Sequence, residues 1–518
     1  MASRFKPISP FCGILVAAFA VALILGAMLA VALRAEAGRG IGPAEWAAIK
    51  FTVLQASLSA IASVILAIPV ARALARRRFP GRRILIALLG APFILPAIVA
   101  VFGLLEVFGR TGWVNSGLSL LGLPPLHIYG LHGVVVAHVF FNMPLATRLI
   151  LQGWQQVPGE RFRMAAQLGI DGMAMARLIE IPMLIKVVPG TLAVVFAICM
   201  TSFAVALILG GGPRATTVEL AIYQAFRFDF DLGRAAMLSA IQMALTIAAA
   251  GFALGLVRGD SFGTGLGRSL QRWDGAKPVS RILDGTWVAL ASFFLLLPIS
   301  AIMASGLPAL TEMPHEVWRS AVISIAVAVA SAILLLGMAL PMSLAIAAGR
   351  SGFLELAGLM GLAVSPLVIG TGLFIMIVQF ANPLRLALPV TALVNALTVL
   401  PFALRILVPE TREIIQGQGR LAMSLDMDGP AFLRLVHLPR IRAQIGFAAG
   451  LSMALSIGDL GVIALFADSE TATLPLTMYR LMGAYRMESA AGAALLLLAL
   501  SFGLFWIMDR GGRWHAEA

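Results

Sequence analysis

Few of the 518 residues are of a type that does chemistry, and their spacing excludes most of what they might do. Cys12 and Cys199 lie far apart in apolar stretches and read as small packing residues. The six histidines contain no set with metal-ligand spacing. His127, His132 and His138, the nearest thing to a cluster, straddle a loop and a helix. No metal site and no bound cofactor are expected. Gly210-Gly211-Gly212-Pro213 is glycine-rich but lacks a following lysine, and the chain holds no G-x-x-x-x-G-K-[ST] phosphate loop. One carboxylate stands out, Asp459, in an otherwise apolar run. Two readings fit it: stabilising a helix break at Gly458-Asp459-Leu460-Gly461, or contacting a cationic substrate.

The setting of these residues follows from composition. Apolar residues make up 60% of the chain and charged ones only 12%, against roughly 25% charged in a soluble domain. Runs such as Cys12 to Leu33 and Met487 to Met508 reach the roughly 20 residues that a helix needs to cross a bilayer. Arg4 and Lys6 before the first run resemble the opening of a signal peptide. Its apolar region of about 22 residues exceeds the roughly 7 to 15 of such peptides, so it reads as a first span. The expected fold is an all-α polytopic membrane protein.

Apolar runs between polar breaks predict twelve spans, near 11–33, 50–71, 84–106, 130–152, 187–209, 235–257, 286–306, 319–346, 355–379, 388–408, 443–466 and 488–508. The net charge of +13 is placed for topology and not for nucleic acid. Arg72, Arg76, Arg77, Arg78, Arg82 and Arg83 crowd one connection; Arg258, Arg268, Arg272, Lys277 and Arg281 crowd another. Cytoplasmic loops carry such an excess, which puts both termini in the cytoplasm. Residues 1–257 form a first six-span repeat, 258–285 a cytoplasmic linker and 286–518 a second repeat. A separation of 257 positions relates Pro144 to Pro401 and Arg148 to Arg405. An even number of spans per half makes the repeat parallel, with the substrate path between the halves. Across the same separation, Asp459 faces Ser202.

The segments joining spans four to five and ten to eleven also repeat. The first reads Arg163-Met164-Ala165-Ala166-Gln167-Leu168-Gly169, nine residues, then Ile179-Glu180-Ile181-Pro182. The second reads Arg420-Leu421-Ala422-Met423-Ser424-Leu425-Asp426, nine residues, then Val436-His437-Leu438-Pro439. Each is expected to be a short helix, a tight turn and a second short helix outside the membrane. Pro158 suits a first helical position, Gly169 a left-handed helix end, and Asp171 and Asp428 helix caps. Pro182 and Pro439 are expected to break the second helix and return the chain to the bilayer. The pattern resembles the loop of binding-protein-dependent ABC importer permeases, in which Glu-Ala-Ala, three residues and Gly precede nine residues and Ile-x-Leu-Pro. The resemblance implies a type I importer permease whose loops dock on two cytoplasmic ATP-binding subunits; ATP and Mg would be used there, and this chain would be a transport subunit and not an enzyme. Gly169, Ile179, Ile181, Pro182 and Ala165 match in the first copy, and Ala422, Leu438 and Pro439 in the second. Arg163 and Arg420 replace the glutamate, and Asp426 replaces the glycine.

On the outer side, Thr216 and Glu219 are spaced as a capping box, with Leu220, Tyr223 and Phe226 on one helix face. Thr473, Leu476 and Tyr479 repeat the pattern. Such helices would either receive a periplasmic binding protein or seal the outer mouth. Gly446 and Gly450 read as sites of close helix packing. The stretches 209–227, 456–467 and 473–488 resemble the thiamine importer permeases, which implies import of thiamine and its phosphates, delivered by a periplasmic thiamine-binding protein, across the bacterial inner membrane. An iron(III) importer permease is the alternative within the class, and an ion-driven twelve-span secondary transporter the alternative outside it; paired coupling loops have no role in the latter.

Overall fold

The computed structural model describes residues 11–35, 40–90, 92, 94–170, 172–210, 212, 215–256, 278–349, 352–427, 429–466 and 470–513. Asp171, Asp428 and the linker as far as residue 277 lie outside the described residues. Among those described, every regular element is helical. Eleven helical segments are long and apolar enough to cross a membrane, and a bent pair makes a twelfth.

In chain order, the first run is α1 (Phe11–Arg34), α2 (Pro43–Arg76), α3 (Arg82–Leu88), α4 (Ala97–Phe108), α5 (Trp113–Leu120), α6 (Leu131–Gln156), α7 (Gly159–Gln167), α8 (Gly172–Met175), α9 (Ile181–Met200), α10 (Phe203–Leu209), α11 (Val218–Arg227) and α12 (Leu232–Leu256). The second is α13 (Pro278–Ala309), α14 (His315–Ala347), α15 (Gly352–Ala363), α16 (Pro366–Ile377), α17 (Ala387–Ser424), α18 (Gly429–Phe432), α19 (Leu438–Ile457), α20 (Gly461–Phe466), α21 (Leu474–Gly483) and α22 (Met487–Arg513). Packing partners recur between the runs. α2 lies on α6 and α9 as α14 lies on α17 and α19; α12 lies on α9 and α11 as α22 lies on α19 and α21. The first helix of each run crosses over. α1 packs on α14, α15 and α16, whereas α13 packs on α2 and α4.

The side chains sort by size as helices in lipid require. On α1, Ala17, Ala20, Ala27 and Val31 are buried while Leu15, Leu25 and Leu29 are exposed. Lipid tails are as apolar as leucine, so burial of bulk contributes little there, and close backbone approach contributes more. Gly446 and Gly450 act in this way. A Cβ on Gly446 would stand 2.4 Å from the Met508 carbonyl oxygen, and one on Gly450 2.9 Å from that of Phe505.

Three sequence expectations are corrected. Spans predicted at 84–106, 187–209 and 355–379 are each broken within the run, between α3 and α4, α9 and α10, and α15 and α16, whereas the span at 443–466 breaks between α19 and α20, where the Gly458–Gly461 reading puts a break. The first helix of the second loop is not separate, because α17 runs unbroken to Ser424; Ile415 stands where Pro158 interrupts the first copy. Pro182 and Pro439 do not break their helices. Each lies two residues beyond the end of a π-helical turn, Ala176–Glu180 or Leu433–His437. The wider turn absorbs the missing N–H and the clash with the preceding carbonyl, so Gly172–Met200 runs as one helical segment.

Gly446→Leu is expected to destabilise the detergent-purified protein by about 1–3 kcal/mol, the usual range for overpacking. Gly503→Ala, which meets nothing within 4 Å, serves as the control. Equal melting temperatures for both variants would contradict the α19–α22 contact as the limiting one.

Candidate coupling and translocation site

The two coupling loops close the same turn with different residues. After α7, Leu168 N–H donates to Met164 O (3.0 Å), Gly169 N–H to Ala166 O (3.1 Å) and Ile170 N–H to Ala165 O (2.9 Å). After α17, Leu425 N–H donates to Leu421 O (3.0 Å), Asp426 N–H to Met423 O (3.2 Å) and Met427 N–H to Ala422 O (2.9 Å). This turn needs a left-handed residue. Gly169 takes it at φ 65° and Asp426 at φ 49°. Aspartate is among the few side chains that visit this region, so the departure at Asp426 keeps the backbone unchanged. Pro158 caps α7, one position before the helix starts.

The loops also divide their faces alike. Ala165 and Ala422 are buried, as are Met175 and Phe432 beneath the second helices. Arg163, Ala166, Arg420, Ile181, Pro182 and Pro439 are exposed, whereas Ile179, Val436 and Leu438 are half-buried. Arg163 reaches Glu160 at 3.6 Å across open surface, a pair worth little in water. Met164, Leu168, Met173 and Leu178 protrude from the first loop, and Leu421, Leu425 and Leu435 from the second. Both loops thus expose apolar side chains among charged ones.

The second assembly lies where the broken helices meet. α9 stops at Met200, and its freed carbonyls are taken up: Gln55 Nε2 donates to Cys199 O (2.9 Å) and Gln242 Nε2 to Met200 O (2.9 Å). Ser202, at the start of α10, bonds His138 Nε2 at 2.7 Å, and His138 Nδ1 lies 3.1 Å from Ser59 Oγ. Asp459 occupies the corresponding break. Its Oδ1 accepts from Gly461 N–H at 3.2 Å, and its buried Oδ2 has no hydrogen-bond partner among the described residues. A Cβ on Gly458 would meet Pro96 of the first run at 2.9 Å, and one on Gly461 would lie 3.8 Å from Phe203. Asp459 therefore stands at the seam between the two runs of helices.

The outer helices are set differently from the sequence expectation. Thr217, not Thr216, caps α11 by accepting from Leu220 N–H at 3.2 Å, while the Thr216 hydroxyl donates to Gly212 O at 3.1 Å. The Thr216–Glu219 capping box does not form. Glu219 is buried, accepting from the Ser365 hydroxyl and lying 3.4 Å from Gln242 Nε2. Val218 N–H donates to Thr52 Oγ1 at 2.9 Å. Thr52 is nine residues inside α2, roughly 13 Å below its outer end at 1.5 Å per residue. α11 thus starts at depth within the bundle. α21 copies it, with Leu474 N–H donating to Ser324 Oγ at 2.7 Å. Tyr223 is buried with its ring centroid 5.3 Å from that of Phe203, and Tyr479 is half-buried. Phe226, Phe374 and Phe466 join the two runs through ring contacts at 4.5 and 5.4 Å. These ring contacts close the two runs together at α11 and α16. The sequence signal for this depth was the row of Ser, Thr, Gln and Asn inside apolar helices.

No family model matches the sequence. The chain is 38% identical over 537 residues to the thiamine transport system permease protein ThiP of Salmonella typhimurium, covering 100% of both. It belongs to the thiamine transport permease family. The same protein of Brucella abortus is 38% identical over 98% of this chain and 96% of its own length, and that of Haemophilus influenzae 36% over 88% and 87%. As a member of that family the chain is a multi-pass transport subunit, with the broken helices and paired loops in its own sequence.

The turn geometry makes a graded expectation for the loops. Asp426→Gly should retain function, whereas Gly169→Val and Asp426→Val force a branched residue into the left-handed region at about 1–2 kcal/mol. A cognate ATPase subunit titrated against purified protein should bind each valine variant roughly tenfold more weakly. Unaltered affinity for both would remove the turn from the docking surface.

Proposed function

We propose that this chain is the membrane permease of an ATP-driven thiamine importer of the bacterial inner membrane, accepting thiamine and its phosphates from a periplasmic binding protein. Two cytoplasmic ATPase subunits would engage the loops around Arg163–Gly169 and Arg420–Asp426, one each. The observation that carries this reading is the full-length identity to thiamine permeases. The site's chemistry agrees with it. Thiamine carries a permanent positive charge on an aromatic ring, and Asp459 offers a buried carboxylate oxygen without a partner near the Phe203 and Tyr223 rings. Among the described residues no group of three or more His, Cys, Asp and Glu side chains could hold a metal ion, so the iron(III) alternative gains no support from this chain.

A thiamine-requiring strain lacking this gene and every other thiamine importer should fail to grow on nanomolar thiamine, recover at high thiamine and take up iron normally. Collapse of ferric uptake with intact thiamine accumulation would decide for iron. In the complementing gene, Asp459→Asn should lower thiamine uptake more than Ser202→Ala.

The orientation we propose rests on the arginine-rich loops and has its own test. In a cysteine-free background, made by replacing Cys12 and Cys199, a cysteine at Arg78 should resist impermeant thiol reagents in spheroplasts, and one at the exposed Leu121 should react. The reverse pattern would invert the topology.

A further inference from the structure

We propose that Arg72 and Glu180 are positioning residues of the transport cycle, clamping the first coupling loop to α2 while Arg76 and Arg77 tie α2 to the first helix of the second half, so that the two loops drive the bundle unequally. The inference rests on the reading of both loops as ATPase docking sites. Arg72 meets Glu180 as a fork, Nε to Oε1 at 3.1 Å and Nη2 to Oε2 at 2.8 Å. The Glu180 side chain is 4% exposed and sits at the last position of the π-helical turn that ends the loop. Bidentate pairing holds two groups in a fixed orientation; the Arg72 side chain is 33% exposed, so it is the buried Glu180 carboxylate that loss of the partner strands.

One turn further along α2, Arg77 Nε lies 2.7 Å from Asp284 Oδ2 and Arg77 Nη2 2.7 Å from Ser280 Oγ; Arg76 adds contacts of 3.6 Å to Asp284 and 3.3 Å to Ser280. Asp284 and Ser280 belong to α13, so α2 joins the first loop to the opposite half through charged groups.

The second half solves the same positions without a clamp. α14 is related to α2 by 272 positions, a register shared by Pro69 and Pro341, by Trp46 and Trp318, and by the matching cap donors' acceptors Thr52 and Ser324. In that register Arg72 becomes Leu344. In the 257-position register of the loops, Glu180 becomes His437, which is buried and bonds Thr411 at 3.1 Å within the same half. The crossing contact changes too. Where α13 meets α2 through Asp284, α1 meets α14 through Gly13, whose Cβ would lie 2.6 Å from the Pro341 carbonyl oxygen. Charge ties the first loop to both halves; a neutral hydrogen bond ties the second loop to its own.

The test uses the full complex with its ATPase subunits and binding protein in proteoliposomes, reading thiamine transported per ATP hydrolysed alongside ATPase affinity. Glu180→Gln and Arg72→Gln should lower the ratio roughly tenfold while ATPase affinity stays within about twofold, and the exchange Arg72→Glu with Glu180→Arg should restore most of it. His437→Gln and Thr411→Val should change the ratio less than about threefold, as loss of one neutral hydrogen bond allows. If Glu180→Gln does not accumulate, Arg72→Lys, which keeps the charge and loses the fork, should still lower the ratio several-fold. An unchanged ratio in the Arg72 and Glu180 variants, or equal losses in both halves, overturns the proposal. Full ATPase affinity in a Leu168→Asp, Met173→Asp variant instead overturns the docking reading beneath it.

Discussion

A backbone polar group in a bilayer has no water to turn to, so each one must find its partner inside the protein. That constraint makes every regular element among the described residues helical, and it dictates what must surround any place where a helix stops partway. The stops between α9 and α10 and between α19 and α20 free carbonyl and N–H groups, and buried side chains from neighbouring helices take them up. Gln55 and Gln242 donate to Cys199 and Met200, Asp459 accepts from Gly461, and Thr52 and Ser324 accept the first N–H of α11 and α21. The polar residues within the spans are therefore the condition for having a non-helical seam at depth.

Duplication explains why these devices come in pairs, and divergence explains why they are not identical. The left-handed turn survives as Gly169 in one copy and Asp426 in the other because the backbone, not the residue, is under constraint. The mid-membrane break survives with Ser202 and a histidine relay in one copy and Asp459 in the other. A single solute passing between two halves does not need them to match. The seam therefore carries a carboxylate at one break and a hydroxyl at the other.

The sequence made some of this legible and hid the rest for physical reasons. Span number and the loops were readable because apolar length and the repeated Arg163–Pro182 and Arg420–Pro439 patterns are local signals. The breaks at Thr201–Ser202 and Gly458–Leu460 were not fully read from hydropathy, since Leu and Ala continue on both sides of them; only Asp459 announced one. The depth of α11 and α21 was missed because a capping threonine looks the same on a surface as it does beneath it. What distinguishes the two is the partner, and Thr52 and Ser324 lie more than a hundred residues away in sequence. Pro182 and Pro439 misled for the opposite reason: the local rule says break, and the π-helical turn before each proline satisfies the rule without ending the helix.

Those π-helical turns bear on how a movement at the loops reaches the seam. α9 and α19 each contain twenty residues, about 30 Å of helix, with a wide turn at the loop end and a break at the other. Between these points each helix is continuous, α9 carrying Pro189 in its interior, and is packed on α2 or α14. A packed helix resists bending, whereas a π-helical turn and a capped break are places where hydrogen-bond register already departs from the α pattern. On the reading proposed above, displacement of either loop would be carried along its helix to the break at Ser202 or Asp459. Loop end and break are thus joined by one helical element, and any shift of that element is limited by the capping side chains at the seam, since a backbone group there that loses its partner has no water to replace it.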